Sequence, residues 1–263
     1  MVKAGYTLFE QMLVTGAQFL SNDTVAFVGF HWPMVMARIA RRLQAPSVTI
    51  VYESGIVEDR LTSVFPTSPC DLTAAEGAIA TLGSADALYS WLGSGRVDLT
   101  MLEAAVVDRF GNINTTAIGP YEHPKVRLPG SGGGTELSAL GRGLLLVSAS
   151  TNPRSYPDRV DYITSPGYFG GRSERTALGY PEETGPQHLI NPLGIFGFDE
   201  NGEMYPTKLH AGVTPEDVSA SFSWPIRIGK NIEILPTPTK DQLVIVREEL
   251  EYARQRLYTL PED

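Results

Sequence analysis

The segment from Thr24 to Tyr52 restricts the possible folds of this chain more than any other. It opens with the apolar run Thr24–Val28 (TVAFV) and passes through Gly29-Phe30-His31-Trp32-Pro33. It continues as PMVMARIARRL to about Leu43, breaks at Ala45-Pro46 and ends in the apolar run Ser47–Tyr52 (SVTIVY). Short apolar runs without polar alternation suit strands covered on both faces. Pro33 suits the first turn of a helix, where its fixed φ is already helical and its missing N–H is not needed. Strand, glycine-led loop, helix and strand make a βαβ unit, whose two strands run parallel. Parallel strands need helices over their faces, so the fold class is α/β.

The rest of the chain fits a largely parallel sheet covered by helices, with an antiparallel hairpin at an edge. Thr7-x-x-Glu10 is a capping-box pattern that opens a helix, and Leu8, Met12, Leu13, Phe19 and Leu20 fall near one face of it. Glu53 to Asp71 has little periodicity and reads as an ordered loop. Ala74–Ala80 fits a strand or a helix equally. Ser84 caps a helix through Leu92, and a strand lies within 96–107. Asp108-Arg109-Phe110-Gly111-Asn112 is a turn, and 113–134 is rich in loops. Strands are expected at Leu144–Val147 and Tyr162–Thr164. Asn201-Gly202 joins Ile195–Phe198 to Met204–Leu209 as a hairpin. A short helix starts at Thr214, and the last runs from Thr239 to near Tyr258. No linker, repeat or low-complexity tract divides the chain, so residues 1–263 are expected to form a single domain.

Charge and cysteine content narrow the function classes. Lys plus Arg number 21 against 30 Asp plus Glu, a net charge of -9. A nucleic-acid surface needs a basic face, so no nucleic-acid partner is expected. No apolar run approaches the ~20 residues that span a bilayer, so no membrane partner is expected either. The amino-terminal stretch carries Glu10 and Gln11 and lacks the form of a signal peptide. Cys70 is alone and has no internal disulfide partner, which fits a reducing, cytoplasmic compartment. With no histidine near it in sequence it reads as structural. The four histidines, at 31, 123, 188 and 210, are dispersed, so no metal site is expected.

Ligands of open α/β sheets bind at the carboxyl ends of the parallel strands. Glu53 directly follows the strand SVTIVY, and Ser54-Gly55 lets the chain turn sharply after it. A carboxylate so placed suits a nucleophile toward an activated carbonyl, a general base, or simply the cap of a turn. Leu128-Pro-Gly-Ser-Gly-Gly-Gly134 is a second candidate. Successive bare N–H groups can form an anion nest, an oxyanion hole or a phosphate cradle, and the same composition also suits a plain surface loop. No P-loop lysine and no GxGxxG spacing supports a nucleotide fingerprint.

Four segments together resemble the β subunit of family I coenzyme A transferases, of the glutaconate and 3-oxoadipate CoA-transferase type. They are YESG (52–55), GRVDLTMLEAAVVDRFGNINTTAIG (95–119), HPKVRLPGSGG (123–133) and VDYITSPGY (160–168), and the similarity runs over roughly residues 5 to 255. The resemblance implies an open three-layer α/β/α sandwich with a largely parallel sheet. It implies a hetero-oligomer with a homologous α subunit, α2β2 or larger, acting on an acyl-CoA and a carboxylic acid acceptor. Coenzyme A enters as a thioester substrate, and no cofactor is implied. Glu53 matches the family's catalytic glutamate, which carries a glutamyl-CoA thioester. Gly130, Ser131, Gly132 and Gly133, with Ser54 and Gly55, match the segments for the oxyanion and CoA. Gly29, His31, Trp32, Glu103 and Val106 match the segments that line the substrate pocket. Lys125 and Arg127, just before the glycine loop, suit either CoA phosphates or a solvated or interface role.

The chain departs from the family pattern in three places. His31 stands at the second glycine of a usual G-x-G-x-P. Glu103 and Val106 stand for the glycine and glutamine of a usual G-A-A-Q-V-D. These changes fit neutral drift, altered substrate fit or new acid–base chemistry, since histidine titrates near neutral pH. The alternative activity is therefore an acyl-CoA hydrolase, carbon–carbon lyase or decarboxylase on the same scaffold, with Glu53, His31 or Glu103 as acid or base. A third reading is a non-catalytic subunit that completes a partner's site, and retention of Glu53 and the glycine loop counts against it.

Overall fold

A computed structural model describes residues 5–256 and the backbone of residues 2 and 3. The chain divides into two compact units, residues 1–103 with 238–263, and residues 104–237. In the first unit the strands are β1 (Val2–Lys3), β2 (Tyr6–Thr7), β3 (Val25–Val28), β4 (Thr49–Val51), β5 (Ile56–Glu58), β6 (Ala78–Thr81) and β7 (Leu99–Glu103). Its helices are α1 (Leu8–Ala17) and α2 (Trp32–Leu43), with the carboxyl-terminal helix Lys240–Arg256. The strand order is β7-β3-β4-β5-β6. β3 pairs in parallel with both β4 and β7, and β4–β5–β6 is an antiparallel meander. The three helices pack on one another, and α2 lies against β3 and β7.

These elements form where local chemistry dictates. Thr7 accepts the Glu10 N–H at 3.1 Å while the Glu10 carboxylate accepts the Thr7 N–H at 2.7 Å, so the expected capping box opens α1. The expected βαβ unit is β3, α2 and β4, with Val25, Ala26 and Phe27 level with Thr49, Ile50 and Val51. Phe27, Val28, Ile50 and Val51 are fully buried. α2 nonetheless carries buried arginines. Arg38 donates to Glu249 of the last helix at 2.6 Å, and Arg41 donates to the Val48 and Glu58 carbonyls at 2.8 and 2.9 Å. Buried guanidinium groups persist only with such partners.

In the second unit the strands are β8 (Ala117–Ile118), β9 (Val126–Arg127), β10 (Leu144–Val147), β11 (Pro186–Asn191), β12 (Gly194–Phe198), β13 (Met204–Leu209) and β14 (Glu233–Ile234). Its helices are α3 (Gly134–Leu140), α4 (Arg172–Ala177) and α5 (Pro215–Ser221), which makes the last helix of the chain α6. β10 and β11 are parallel, β11–β12–β13 is an antiparallel meander around the expected hairpin, and β14 runs parallel to β13. The Asp108–Asn112 turn is present: Asp108 Oδ1 accepts the Phe110 and Asn112 N–H groups at 2.9 and 3.1 Å. Asn112 Oδ1 in turn accepts the N–H groups of Gly167 and Phe169, both at 2.9 Å, and so ties a distant segment to the turn.

Two local expectations fail for identifiable reasons. Residues 53–71 are not all loop, because Gly55 closes a hairpin and Ile56–Glu58 returns as β5. Tyr162–Thr164 is not a strand. Tyr162 and Ile163 are exposed, and the segment is held through side chains, with the Thr115 N–H donating to Thr164 Oγ1 at 3.0 Å. The undecided Ala74–Ala80 is a 3-10 turn over Leu72–Gly77 followed by β6. The helix after Ser84 widens into a π-helix over Asp86–Leu92. The last helix is described over Lys240–Arg256, and its expected end near Tyr258 lies outside the described residues.

Glu58 supplies a stability prediction. Burial pushes its carboxyl up to about 7, against the opposing pull of Arg41, Arg38 and Tyr52. The Arg41 guanidinium is 3.5 Å away, yet burial also pushes Arg41 down. Desolvation therefore outweighs the attraction within this pair. A carboxyl whose folded pKa is raised favours the folded state below its ordinary pKa, and that contribution is lost as pH rises through the folded value. Between pH 5 and 8 the urea midpoint of Glu58→Gln should fall less than that of the wild type. In unfolding free energy the difference should amount to roughly 2–3 kcal/mol; parallel curves would contradict it.

Candidate active site

Glu53 sits at the tip of the β4–β5 hairpin. The Gly55 N–H donates to the Tyr52 carbonyl at 2.9 Å, and the Tyr52 N–H donates to the Ile56 carbonyl at 3.0 Å. Gly55 has φ +92, and a Cβ there would meet the Leu82 carbonyl oxygen at 1.9 Å. The Leu82 N–H donates to the Gly55 carbonyl at 2.7 Å, so the residue that follows β6 clamps the turn from outside. Ser54 Oγ donates to the Pro69 carbonyl at 2.6 Å. The Glu53 side chain is thus carried on a turn fixed by four hydrogen bonds, and it is only partly buried. Cys70 Sγ lies 3.9 Å from Glu53 Oε1. Partial burial, and then the Glu53 charge, push that thiol up, so Cys70 is not an activated thiolate.

Beneath the turn, Tyr52 is buried and its hydroxyl is bonded to Glu58; burial and the Glu58 charge raise it well above the usual phenol range. Because β4, β3 and β7 are parallel, the loops after them leave one edge of the sheet. Glu53 leaves β4 there, Gly29–His31 leave β3, and Glu103 ends β7. The Gly29 N–H donates to the Met101 carbonyl at 2.8 Å, which extends the β3–β7 ladder to that glycine. A Cβ on Gly29 would sit 2.8 Å from the same oxygen.

His31 and Glu103 meet directly, with Nδ1 and Oε1 2.9 Å apart. His31 precedes α2 as its N-cap residue with φ 69 and ψ -114, and its side chain makes no cap bond. Such dihedrals belong to glycine, and a side-chain-bearing residue holding them costs about 1–3 kcal/mol. The His31 ring rests against Trp32, centroids 4.1 Å apart, and Trp32 is buried edge-on to Phe9. His31 Nε2 is buried without a hydrogen-bond partner.

The other expected residues belong to the second unit. Val106 is half-buried, and its carbonyl accepts the Asn114 N–H at 2.9 Å. Gly130 and Gly132 have φ +100 and +49, so the glycines serve conformations that other residues avoid. The Gly130 N–H is occupied by the Thr115 carbonyl at 2.7 Å. Gly133 is the buried N-cap residue of α3, whereas Ser131 and Gly132 are exposed and their N–H groups meet no acceptor among the described residues. Within the glycine loop, the donors open to an anion are therefore those of Ser131 and Gly132. Lys125 and Arg127 are exposed, and the Arg127 guanidinium lies 5.0 Å from the Tyr121 ring centroid. Among the described residues no group of three or more His, Cys, Asp or Glu side chains is placed to hold a metal ion. None of the described helices is long and apolar enough to cross a membrane.

The coenzyme A transferase family model matches residues 9–221, most of the chain. The chain belongs to the coenzyme A transferase family. It is 38% identical over 245 residues to the β subunit of 3-oxoadipate CoA-transferase from Pseudomonas knackmussii, covering 93% of each chain. It is 29% identical over 258 residues to the β subunit of glutaconate CoA-transferase from Acidaminococcus fermentans, covering 94% of this chain and 93% of that one. The crystal structure of glutaconate CoA-transferase from Acidaminococcus fermentans superposes with a TM-score of 0.86 and covers 97% of this chain and 98% of that chain. The resemblance to a family I CoA-transferase β subunit, its α/β fold and its reading as a transferase enzyme are borne out.

Within this CoA-transferase chain, sequence reasoning missed two neighbours of Glu53. Cys70 arrives by a loop that carries no periodicity, and the Tyr52–Glu58–Arg41 cluster depends on the unforeseen β5. The signal for β5 was Gly55 itself, since a turn residue after a strand announces a hairpin as readily as a loop. Gly55→Ala should lower the melting temperature by about 5–10 °C, because both φ and the Leu82 carbonyl reject a Cβ. Gly130→Ala, where a Cβ meets nothing within 4 Å, should lower it by less than half as much. Equal effects in a thermal melt would contradict this account of the turn.

Proposed function

We propose that this chain is the β subunit of an acyl-CoA:carboxylate CoA-transferase with Glu53 as its covalent nucleophile, its two units acting as one catalytic domain. The observation that carries the reading is the clamped hairpin turn, which holds a partly exposed carboxylate at the carboxyl edge of parallel strands. A Glu53 carboxylate oxygen attacks the thioester carbonyl of acyl-CoA and the carbon–sulfur bond breaks. This gives an acyl-glutamyl anhydride and CoA thiolate. The thiolate attacks the glutamyl carbonyl, releases the first acid as its carboxylate and leaves a glutamyl-CoA thioester. The incoming carboxylate then repeats both steps in reverse, and the glutamate returns unchanged.

Each half of the cycle passes through two tetrahedral oxyanions, and the exposed Ser131 and Gly132 N–H groups are donors of the kind that stabilises such an anion. One such donor is worth about 3–4 kcal/mol in other acyl-transfer enzymes. An anhydride must be kept from water, and we assign that shielding to a homologous α subunit in an α2β2 or larger assembly. Coenzyme A takes part as substrate with no cofactor, and the enzyme acts in the cytoplasm.

Expressed with its α subunit, the enzyme should turn over acyl-CoA only when an acceptor acid is present, with ping-pong kinetics. Glu53→Gln should lose roughly a thousandfold or more in kcat, as loss of a covalent nucleophile does elsewhere. The chain without its α subunit should be inactive. Full turnover without an acceptor would favour the hydrolase, lyase or decarboxylase alternative instead.

A further inference from the structure

His31 is held at two costs, and both buy a single contact. Its backbone occupies a glycine conformation, φ 69 and ψ -114. Its Nε2 is buried without a partner, so a polar group is desolvated with no bond in return. A glycine at this position would remove both penalties and leave the βαβ turn intact. What the histidine adds is Nδ1, 2.9 Å from Glu103 Oε1. Packing against Trp32 alone does not explain the choice, since an apolar ring would pack there without stranding a nitrogen.

The two partners differ in what they can offer a ligand. The His31 side chain is 9% exposed and the Glu103 side chain 29% exposed. Glutamate is therefore the group that meets a ligand, and histidine is the group that positions it. An ionised carboxylate only accepts hydrogen bonds, so Nδ1 carries the shared proton. With no acceptor near Nε2, the neutral Nδ1–H tautomer is the arrangement that strands no donor. The dyad then presents one negative charge through the glutamate oxygen that His31 does not hold.

Position follows from the ladder. Phe27 is level with Val51 on β4 and with Thr100 on β7. Glu53 and Glu103 therefore leave one edge two strands apart, a lateral step of ~10 Å. That separation suits a short acyl chain with its carbonyl at one carboxylate and its far end at the other.

We propose that the His31–Glu103 dyad is the specificity element for the far end of the acyl group, and that it selects a hydrogen-bond donor, a hydroxyl, over a second carboxylate. The inference rests on Glu53 as the site of acyl transfer. A hydroxyl donates to the free Glu103 oxygen, whereas a carboxylate has no proton to give and meets a like charge. His31 acts through Glu103 as a positioning residue and touches no substrate.

The test compares two four-carbon acyl-CoA donors with the αβ complex: succinyl-CoA, and the analogue whose terminal carboxylate is replaced by a primary alcohol. The wild type should favour the alcohol by at least tenfold in kcat/KM. Glu103→Gln should reduce that preference to within threefold, mainly by improving succinyl-CoA, and Glu103→Asp should restore part of it. His31→Gly should also reduce the preference while raising the melting temperature, which a merely structural histidine would not do. A wild-type preference for succinyl-CoA, or an alcohol-to-succinyl ratio unchanged in Glu103→Gln while transfer proceeds, would overturn the dyad and leave the transferase reading standing. If neither donor transfers CoA to any acceptor, the transferase reading falls. Calorimetric binding of the two free acids then decides the dyad separately: preference for the hydroxy acid, lost in Glu103→Gln, supports it, and equal binding overturns it.

Discussion

Everything that this chain brings to one place depends on the parallel register of β4, β3 and β7. Backbone hydrogen bonds hold Val25–Phe27 level with Thr49–Val51, and Ala26–Val28 level with Leu99–Met101. Parallel strands of one sheet end together, so their following loops must emerge along one edge. The ladder therefore places three sequence-distant segments, Gly29–His31, Glu53–Gly55 and Glu103, along one end of the sheet without any side chain having to pull them there. Side-chain chemistry then refines the placement. Gly55 closes the hairpin that aims Glu53, and the contact between His31 Nδ1 and Glu103 Oε1 fixes Glu103.

The same unit holds an unusual amount of buried charge. Arg38 with Glu249 joins α2 to α6, and Arg41 with Glu58 joins α2 to β5, with side chains at most 8% exposed. Such pairs add little net stability, since desolvation consumes most of the attraction. Their partners are specific: Arg38 reaches the Thr62 carbonyl, and Arg41 reaches the Val48 and Glu58 carbonyls. They fix where the loop after β5 and the entry to β4 run, and hence where the Glu53 turn stands. Specific placement rather than strength is what these arginines contribute.

The fold was legible in the sequence wherever one local signal decided it. Thr7 with Glu10, Pro33, and Thr214 with Asp217 mark helix starts that the structure places where the pattern put them. Asn201-Gly202 marks the hairpin of β12 and β13. Segments whose structure depends on a partner were not legible. β5 is three residues long and exists only because β4 and β6 flank it. Tyr162–Thr164 looked like a strand by composition, but its hydrogen bonds go to Ile113, Thr115 and Thr116 through a loop. For the site, Glu53 and the glycine loop could be picked out from residue type and position. The His31–Glu103 contact could not, because its members are 72 residues apart and only the ladder joins them.

The central claim is that Glu53 itself carries the acyl group and then coenzyme A. Borohydride reduces a glutamyl thioester to an alcohol and leaves free carboxylates untouched. The αβ complex would be mixed with acyl-CoA, without acceptor, treated with borohydride, digested and mapped by mass spectrometry. The account predicts loss of activity only when acyl-CoA is present, with the reduced residue located at Glu53. An unmodified Glu53 peptide in enzyme that borohydride has inactivated, or the adduct on another residue, would contradict it.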